Sequence, residues 1–336
     1  TSILPRGLDE MLGACKQELE SFLETCRSEG LCCAFMLHLL TKSIFSCLVD
    51  ADRYDAYCFE VGRTPERVLP RAPWTDLIDR LERRLAAYPL NSEIDRIRRM
   101  VSDSCLSAAS YPIGVYRLDV PTGGGKTLSS LRFALHHAQE HGMDRIIYVI
   151  PYLSVLEQTA DTIREALQCG CEDDFILEHH SNVIPPENEE KAQADRLLTD
   201  RWDSPIVITT MVQFLESIYS AKGGKLRKLH NMANAVLIFD EVQSQPVKCI
   251  HLFNGAIDYL RAFGCSTSLL CTATQPPLDQ VERPIHLSEP RDLVQDTSEI
   301  FRNLKRTRIV DSTVAGGYTV NHLRDFVLDK LELAGD

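Results

Sequence analysis

The sequence predicts an α/β fold, a parallel sheet with helices on both faces, preceded by an α-helical segment. Three observations carry that prediction. From residue 115 onward, strand-like apolar runs alternate with helical stretches, the pattern that builds parallel strands joined by crossovers. The runs are 115–120, Ile146–Ile150, Ile206–Thr210, Val236–Phe239 and Ser268–Cys271. The first run ends in a glycine-rich turn, Pro121-Thr122-Gly123-Gly124-Gly125-Lys126-Thr127, which opens a helical pattern from Leu128 to His141. The fourth ends in two carboxylates, Asp240-Glu241. Sheets of this kind bind ligands at the carboxyl ends of their strands, so both features fall on one edge.

Before the sheet, residues 8–60 read as helical. Leu37, Leu40, Ile44, Phe45, Leu48 and Val49 follow helical spacing and predict a buried stripe. Asp52 falls three and four residues after Val49 and Leu48 and shares their face, whereas Asp50 turns away. A carboxylate on a buried face needs a partner, whether a metal, an arginine or a helix cap. His38 stands alone on this helix and reads as a core residue. Residues 61–112 hold Pro65, Pro70, Pro73, Trp74 and Pro89 around a charged helix, a linker with a lead-in helix. Arg80, Arg83, Arg84, Arg96, Arg98 and Arg99 cluster there and read as a solvated helix face.

The turn after the first strand has the chemistry of a phosphate site. Consecutive glycines let backbone N–H groups converge on one anion, and the helix behind adds its positive end. Lys126 reaches the β- and γ-phosphates and the Thr127 hydroxyl ligates Mg²⁺. The strict pattern asks for glycine five residues before Gly125, where Val120 stands. The alternative is a glycine-rich surface turn. The second acidic run answers it: Ala235-Val236-Leu237-Ile238-Phe239 is continuous, as a buried parallel strand should be. Asp240 at its end would hold Mg²⁺ beside Thr127, and Glu241 would polarise water. The alternative for that pair is a helix cap.

Composition sets bounds. The 336 residues suffice for about two domains. No run of 18 apolar residues appears and the start is not a signal peptide, so neither a membrane partner nor export is expected. The twelve cysteines form no C-x-x-C pair, which argues against a zinc ribbon and for reduced thiols in a cytoplasmic setting. A net charge of −12 argues against a surface coated for nucleic acid, but not against a local basic groove.

Several segments together resemble a family. The glycine loop, Asp240-Glu241-Val242-Gln243 and Cys271-Thr272-Ala273-Thr274 resemble motifs I, II and III of superfamily 2 helicases. Val149 to Thr159 resembles motif Ia, and Ile208 to Phe214 motif Ib, all in the family's order. Within that superfamily the phrases around the loop, around Asp240 and at Leu48-Val49-Asp50-Ala51-Asp52-Arg53 look like the helicase-nuclease of type I CRISPR systems. The resemblance implies a RecA-like ATP-binding lobe over 113–312. Before it would lie the end of an HD nuclease domain (1–62) and a linker with lead-in helix (63–112), and after it a helix (313–336) toward a second lobe. It implies Asp52 as one ligand of a transition-metal site. It implies Lys126, Asp240 and Glu241 as catalytic, and Thr122 through Thr127 as the ATP cradle. Gln158, Thr209 and Thr210 would grip single-stranded DNA, and Thr272 with Thr274 would couple ATP state to that grip. The partners implied are single-stranded DNA and an RNA-guided surveillance complex. The family's upstream histidines, its second lobe and its arginine finger have no counterpart here. Two other readings stay open: another superfamily 2 helicase, acting on RNA or DNA, and a nucleotide-binding module without remodelling activity.

Overall fold

The computed structural model describes residues 8–62, 64, 73–169, 175–180, 201–295, 297–305 and 310–333. By packing, the chain divides into a unit through Asn303 and a second from Leu304 onward. The boundaries expected near residues 62 and 112 lie inside the first unit, and the one near 312 lies inside the second.

The first unit is built on six parallel strands: β1 (Val115–Asp119), β2 (Arg145–Ile150), β3 (Ile176–His179), β4 (Ile206–Thr210), β5 (Ala235–Asp240) and β6 (Thr267–Thr272). Their order is β1-β6-β5-β2-β4-β3. Every residue of β2, β4 and β6 is buried, as their continuous apolar runs require of strands covered on both faces. The sequence reading missed β3. Ile-Leu-Glu-His offers two apolar residues with no alternation, and each position is half-buried at the sheet margin. The opposite margin, β1, is covered by residues 288–293. The Ser288 N–H donates to the Val115 carbonyl (3.0 Å), Arg117 N–H to the Arg291 carbonyl (2.7 Å) and Leu293 N–H to the Arg117 carbonyl (2.9 Å). A Cβ on Gly114 would come within 2.0 Å of the Ser288 hydroxyl, so this close approach demands glycine.

Helices α1 (Leu8–Ser28), α2 (Cys33–Glu60), α3 (Trp74–Ala86), α4 (Glu93–Ser107), α5 (Lys126–His141) and α6 (Leu153–Leu167) are followed by α7 (Met211–Tyr219), α8 (Gly223–Leu226), α9 (Ile250–Ala262) and α10 (Ser298–Asn303). α3, α4, α5 and α6 pack together on one side. α2, α7 and α9 pack together, and Phe214 and Phe253 from α7 and α9 close on Phe239 of β5, with ring centroids at 5.1 and 4.9 Å. The lead-in region holds two helices rather than one, because Ser92 and Asp95 form a capping box that restarts the chain at α4. Arg132 of α5 clamps both: its buried guanidinium takes Glu82 of α3 in two bonds (2.6 and 2.7 Å) and Asp103 of α4 (2.8 Å).

α2 reverses the sequence reading. Most of the predicted core stripe faces outward: Leu37, Ile44, Phe45 and Leu48 are exposed, Ile44 at 63% and Leu48 at 65%, while Leu40 and Val49 are half-buried. The buried side carries Met36, Leu39, Ser46 and Asp50. Asp50, 4% exposed, accepts from Arg201 Nε–H (3.0 Å) and Arg227 Nε–H (3.1 Å), and Arg227 Nη2 completes the ion pair at 3.0 Å. Ser46 donates to the Leu226 carbonyl (2.6 Å). Asp52 is exposed, and His38 lies on the surface rather than in the core. Helical spacing identified a stripe, but a buried aspartate with two arginines decided which side faces the sheet. By length and composition α2 could cross a bilayer; Asp50 and its ion pairs anchor it on the α/β unit instead.

The second unit contains α11 (Val320–Leu333), which begins at Val320 rather than at residue 313; residues 334–336 of the expected helix lie outside the described residues. Within it Tyr318 packs on Phe326 (5.6 Å) and its hydroxyl donates to the Ser312 carbonyl (2.6 Å).

Candidate functional site

Parallel pairing aligns the strand ends. Asp119 of β1 sits opposite Thr272 of β6, and Asp240 of β5 opposite Cys271. β6 therefore inserts Thr272 between the glycine loop after β1 and the carboxylates after β5. Thr122, Gly123, Gly125, Lys126 and Thr127 line a cavity of about 510 Å³ together with Asp240 and Glu241. Gly123 and Gly125 have φ of +88° and +85°, a region in which a side chain would be strained. Gly124 is buried, and its N–H closes a turn onto the Pro121 carbonyl (3.0 Å).

Two of the charges inside form a close pair. Lys126 Nζ donates to Glu241 Oε1 at 2.7 Å. Burial works against the Glu241 carboxylate, yet bonds from Lys126 and Gln243 outweigh it and leave its pKa below the usual glutamate value. Asp240 goes the other way: burial pushes its pKa up, Lys126 offsets part of this, and neighbouring Glu241 adds to it. Glu241 adopts φ +49°, a left-handed backbone that a glutamate holds only where surrounding structure imposes it.

A chain of side-chain bonds leaves Glu241. Gln243 Nε2 donates to Glu241 Oε2, and the Thr272 hydroxyl donates to Gln243 Oε1. Thr272 is fully buried and also accepts from the Thr274 N–H (3.0 Å). The third motif thus reaches the acidic pair through Gln243, a residue the sequence reading quoted without a role.

The residues expected to grip nucleic acid separate. Gln158 lines the cavity with Lys126. Thr209 is fully buried and its hydroxyl donates to the His179 carbonyl of β3 (2.9 Å), which ties it to the sheet margin. Thr210 caps α7, accepting from the Gln213 N–H at 3.2 Å. Of the arginine cluster, read as solvated, Arg98 donates to the Gly123 carbonyl and lines the cavity. Tyr88, Pro89 and Leu90 extend the cavity away from the loop. Nothing in the spacing of these residues marked them, because they lie two dozen or more positions before the loop.

Thr127 and Asp240 suit Mg²⁺. Both offer hard oxygen atoms to one cavity, and the raised pKa of Asp240 marks a negative charge that a divalent cation would relieve. For Asp52 the fit fails: among the described residues no group of three His, Cys, Asp or Glu converges on a metal position.

A model of the DEAD/DEAH box helicase family matches residues 102–283, more than half of the chain, and the chain belongs to that family. A curated relative, the CRISPR-associated nuclease/helicase Cas3 of Haloferax volcanii, is 28% identical over 221 residues, 60% of this chain and 23% of the relative. The chain therefore spans under a quarter of that protein. Among solved structures, T. fusca Cas3 aligns at 19% identity with a TM-score of 0.46, over 56% of this chain and 22% of that one. T. fusca Cas3-ATP aligns at 21% with a TM-score of 0.44, over 64% and 24%.

Proposed function

We propose that this member of the DEAD/DEAH box helicases is the ATP-binding lobe of an ATP-dependent DNA translocase coupled to a nuclease in CRISPR interference. The observation that carries the ATP part is the single cavity that gathers the glycine loop, Lys126, Thr127, Asp240 and Glu241. The CRISPR part is supported by the sequence relative and by the phrases around the loop and Asp240. Single-stranded DNA and an RNA-guided surveillance complex are the partners this reading assigns.

The chemistry follows from charges already in place. Lys126 is held by Glu241 at 2.7 Å, so an entering polyphosphate competes for the ammonium. Phosphate binding at Lys126 releases Glu241 Oε1, and Glu241 then orients and deprotonates the attacking water. While Lys126 and Gln243 are bonded to it, its pKa lies below the usual value, so it is ionised at neutral pH before the polyphosphate enters. Mg²⁺ held by Thr127 and Asp240 would neutralise developing phosphate charge. The same displacement reaches Gln243 and Thr272, which links occupancy of the cavity to the segment after β6. Nucleic-acid phosphates would meet the N-terminal ends of α6 and α7, which follow β2 and β4 at the same sheet edge. The Thr209 hydroxyl is already committed to the sheet and contributes through backbone position alone.

Calorimetry of Mg²⁺-ATP with the chain and with Lys126→Ala tests the cavity: binding to the first and loss in the second is expected, and equal affinity would remove the assignment. In the intact protein, hydrolysis stimulated by single-stranded DNA and not by RNA is the outcome that separates this reading from an RNA helicase.

A further inference from the structure

Arg98 lies on α4, outside every strand-end motif, yet it touches the glycine loop twice. Its Nε–H donates to the Gly123 carbonyl at 2.9 Å. Its stem covers Gly125: a Cβ built there would meet Arg98 Cγ at 3.4 Å and Cβ at 3.6 Å. The same side chain lines the cavity shared by Lys126, Thr127, Asp240 and Glu241. Its carboxylate neighbour, Asp95, keeps Oδ1 3.9 Å from Nη1, beyond hydrogen-bond reach, while Asp95 Oδ2 is held in the capping box by the Ser92 N–H (3.0 Å) and the Ser92 hydroxyl (2.8 Å). Lys126, by contrast, is paired at short range with Glu241.

α4 is not a free arm. Arg132 of the loop's own helix binds α4 through Asp103 and Ser102 and α3 through Glu82. Arg98 is thus mounted on a helix fixed to α5 by the buried Arg132 guanidinium and its partly exposed carboxylate partners. A guanidinium has five donors in one plane. One of them fixes a loop carbonyl here, the side chain lines the cavity, and the terminal nitrogens have the Asp95 carboxylate at 3.9 Å, too far for a hydrogen bond.

We propose that Arg98 is a positioning residue of the nucleotide site: it holds the Gly123 carbonyl outward, so that the loop N–H groups face the anion, and its terminal donors serve the polyphosphate of a nucleoside di- or triphosphate. The proposal rests on the reading of this cavity as a nucleotide site. It extends that site beyond the strand-end motifs to the lead-in helices. Lysine at this position keeps the charge but has no Nε–H with two further donors in its plane, so it serves either the carbonyl or the phosphate.

The test measures affinity of the whole chain for Mg²⁺-ATP and for inorganic tripolyphosphate, in the wild type, Arg98→Ala and Arg98→Lys. A charge-assisted hydrogen bond of this kind corresponds to roughly tenfold or more in affinity. Arg98→Ala should therefore weaken both ligands by at least about that factor, with an unchanged melting temperature and Arg98→Lys in between. Unchanged affinity in Arg98→Ala, while the wild type binds, overturns the role of Arg98 and leaves the nucleotide site standing. A loss for ATP with none for tripolyphosphate also overturns it, because Arg98 would then act on the base or sugar. Absence of binding in the wild type fails the nucleotide reading itself. Should Arg98→Ala melt early, Arg98→Gln supplies the comparison: it can donate to Gly123 without charge, and full ATP affinity there overturns the phosphate role.

Discussion

Asp240 and Asp50 are two acids folded out of bulk water at opposite ends of the same sheet, and they are handled in opposite ways. Asp50 reaches the amino ends of the strands, beside the segments that lead into β4 and β5, and takes bonds from two arginines. Asp240 ends β5 at the carboxyl edge, and its carboxylate accepts the Glu241 N–H (3.0 Å), with Lys126 committed to Glu241. A buried charge with full partners is structural. A half-buried charge left partly uncompensated, with its pKa pushed up and a cavity in front of it, is a place for a ligand. The difference between the two ends is the difference between holding the fold together and doing chemistry.

The comparison breaks most visibly at Glu241. In the intact protein Glu241→Gln should lower ATP hydrolysis by about 10²–10⁴-fold with ATP binding retained, as loss of a general base does. Steady-state turnover and a binding isotherm check it together, and loss of binding in a folded variant would make Glu241 a ligand instead.

At the other end, Asp50→Ala should destabilise the chain by about 3–5 kcal/mol, because it strands two arginines in a buried site. Asp52→Ala, exposed two residues on, should stay within about 0.5 kcal/mol. Urea unfolding of both variants measures the contrast, and equal effects would return the buried face of α2 to the sequence reading. Next in size, Thr210→Ala removes the cap of α7 and should cost about 1 kcal/mol.

The subtlest prediction concerns sign. Asp240 has a raised folded pKa, so its ionisation in the empty cavity opposes folding. Asp240→Asn should stabilise the nucleotide-free chain at neutral pH. The advantage should shrink as pH falls through the folded pKa of Asp240, where the wild-type carboxyl is also neutral. Melting temperatures of the two proteins from pH 7 downward check this, and added Mg²⁺ should narrow the gap at neutral pH by stabilising the wild type alone.

What the sequence determined by itself was everything carried by strands covered on both faces and by the residues that end them. A strand in that setting is mostly apolar, so β1, β2, β4, β5 and β6 announce themselves, and their ends fix the glycine loop, Lys126, Asp240 and Glu241 without reference to the rest of the chain. Tertiary structure decided the remainder. β3 takes its place from pairing with β4, since four half-buried residues carry no periodic signal. Helix α2 has apolar residues on more than one side, and spacing cannot say which side is buried; Arg201 and Arg227, more than 150 positions away, choose the side with Asp50. Thr209 and Thr210 look alike in sequence, yet alternation along a strand turns one hydroxyl to β3 while the chain's exit into α7 turns the other into a cap. Arg98 joins the site only because Arg132 fixes α4 against α5. In each case the deciding interaction is between residues distant in the chain, and local sequence holds no record of a partner that the fold brings near.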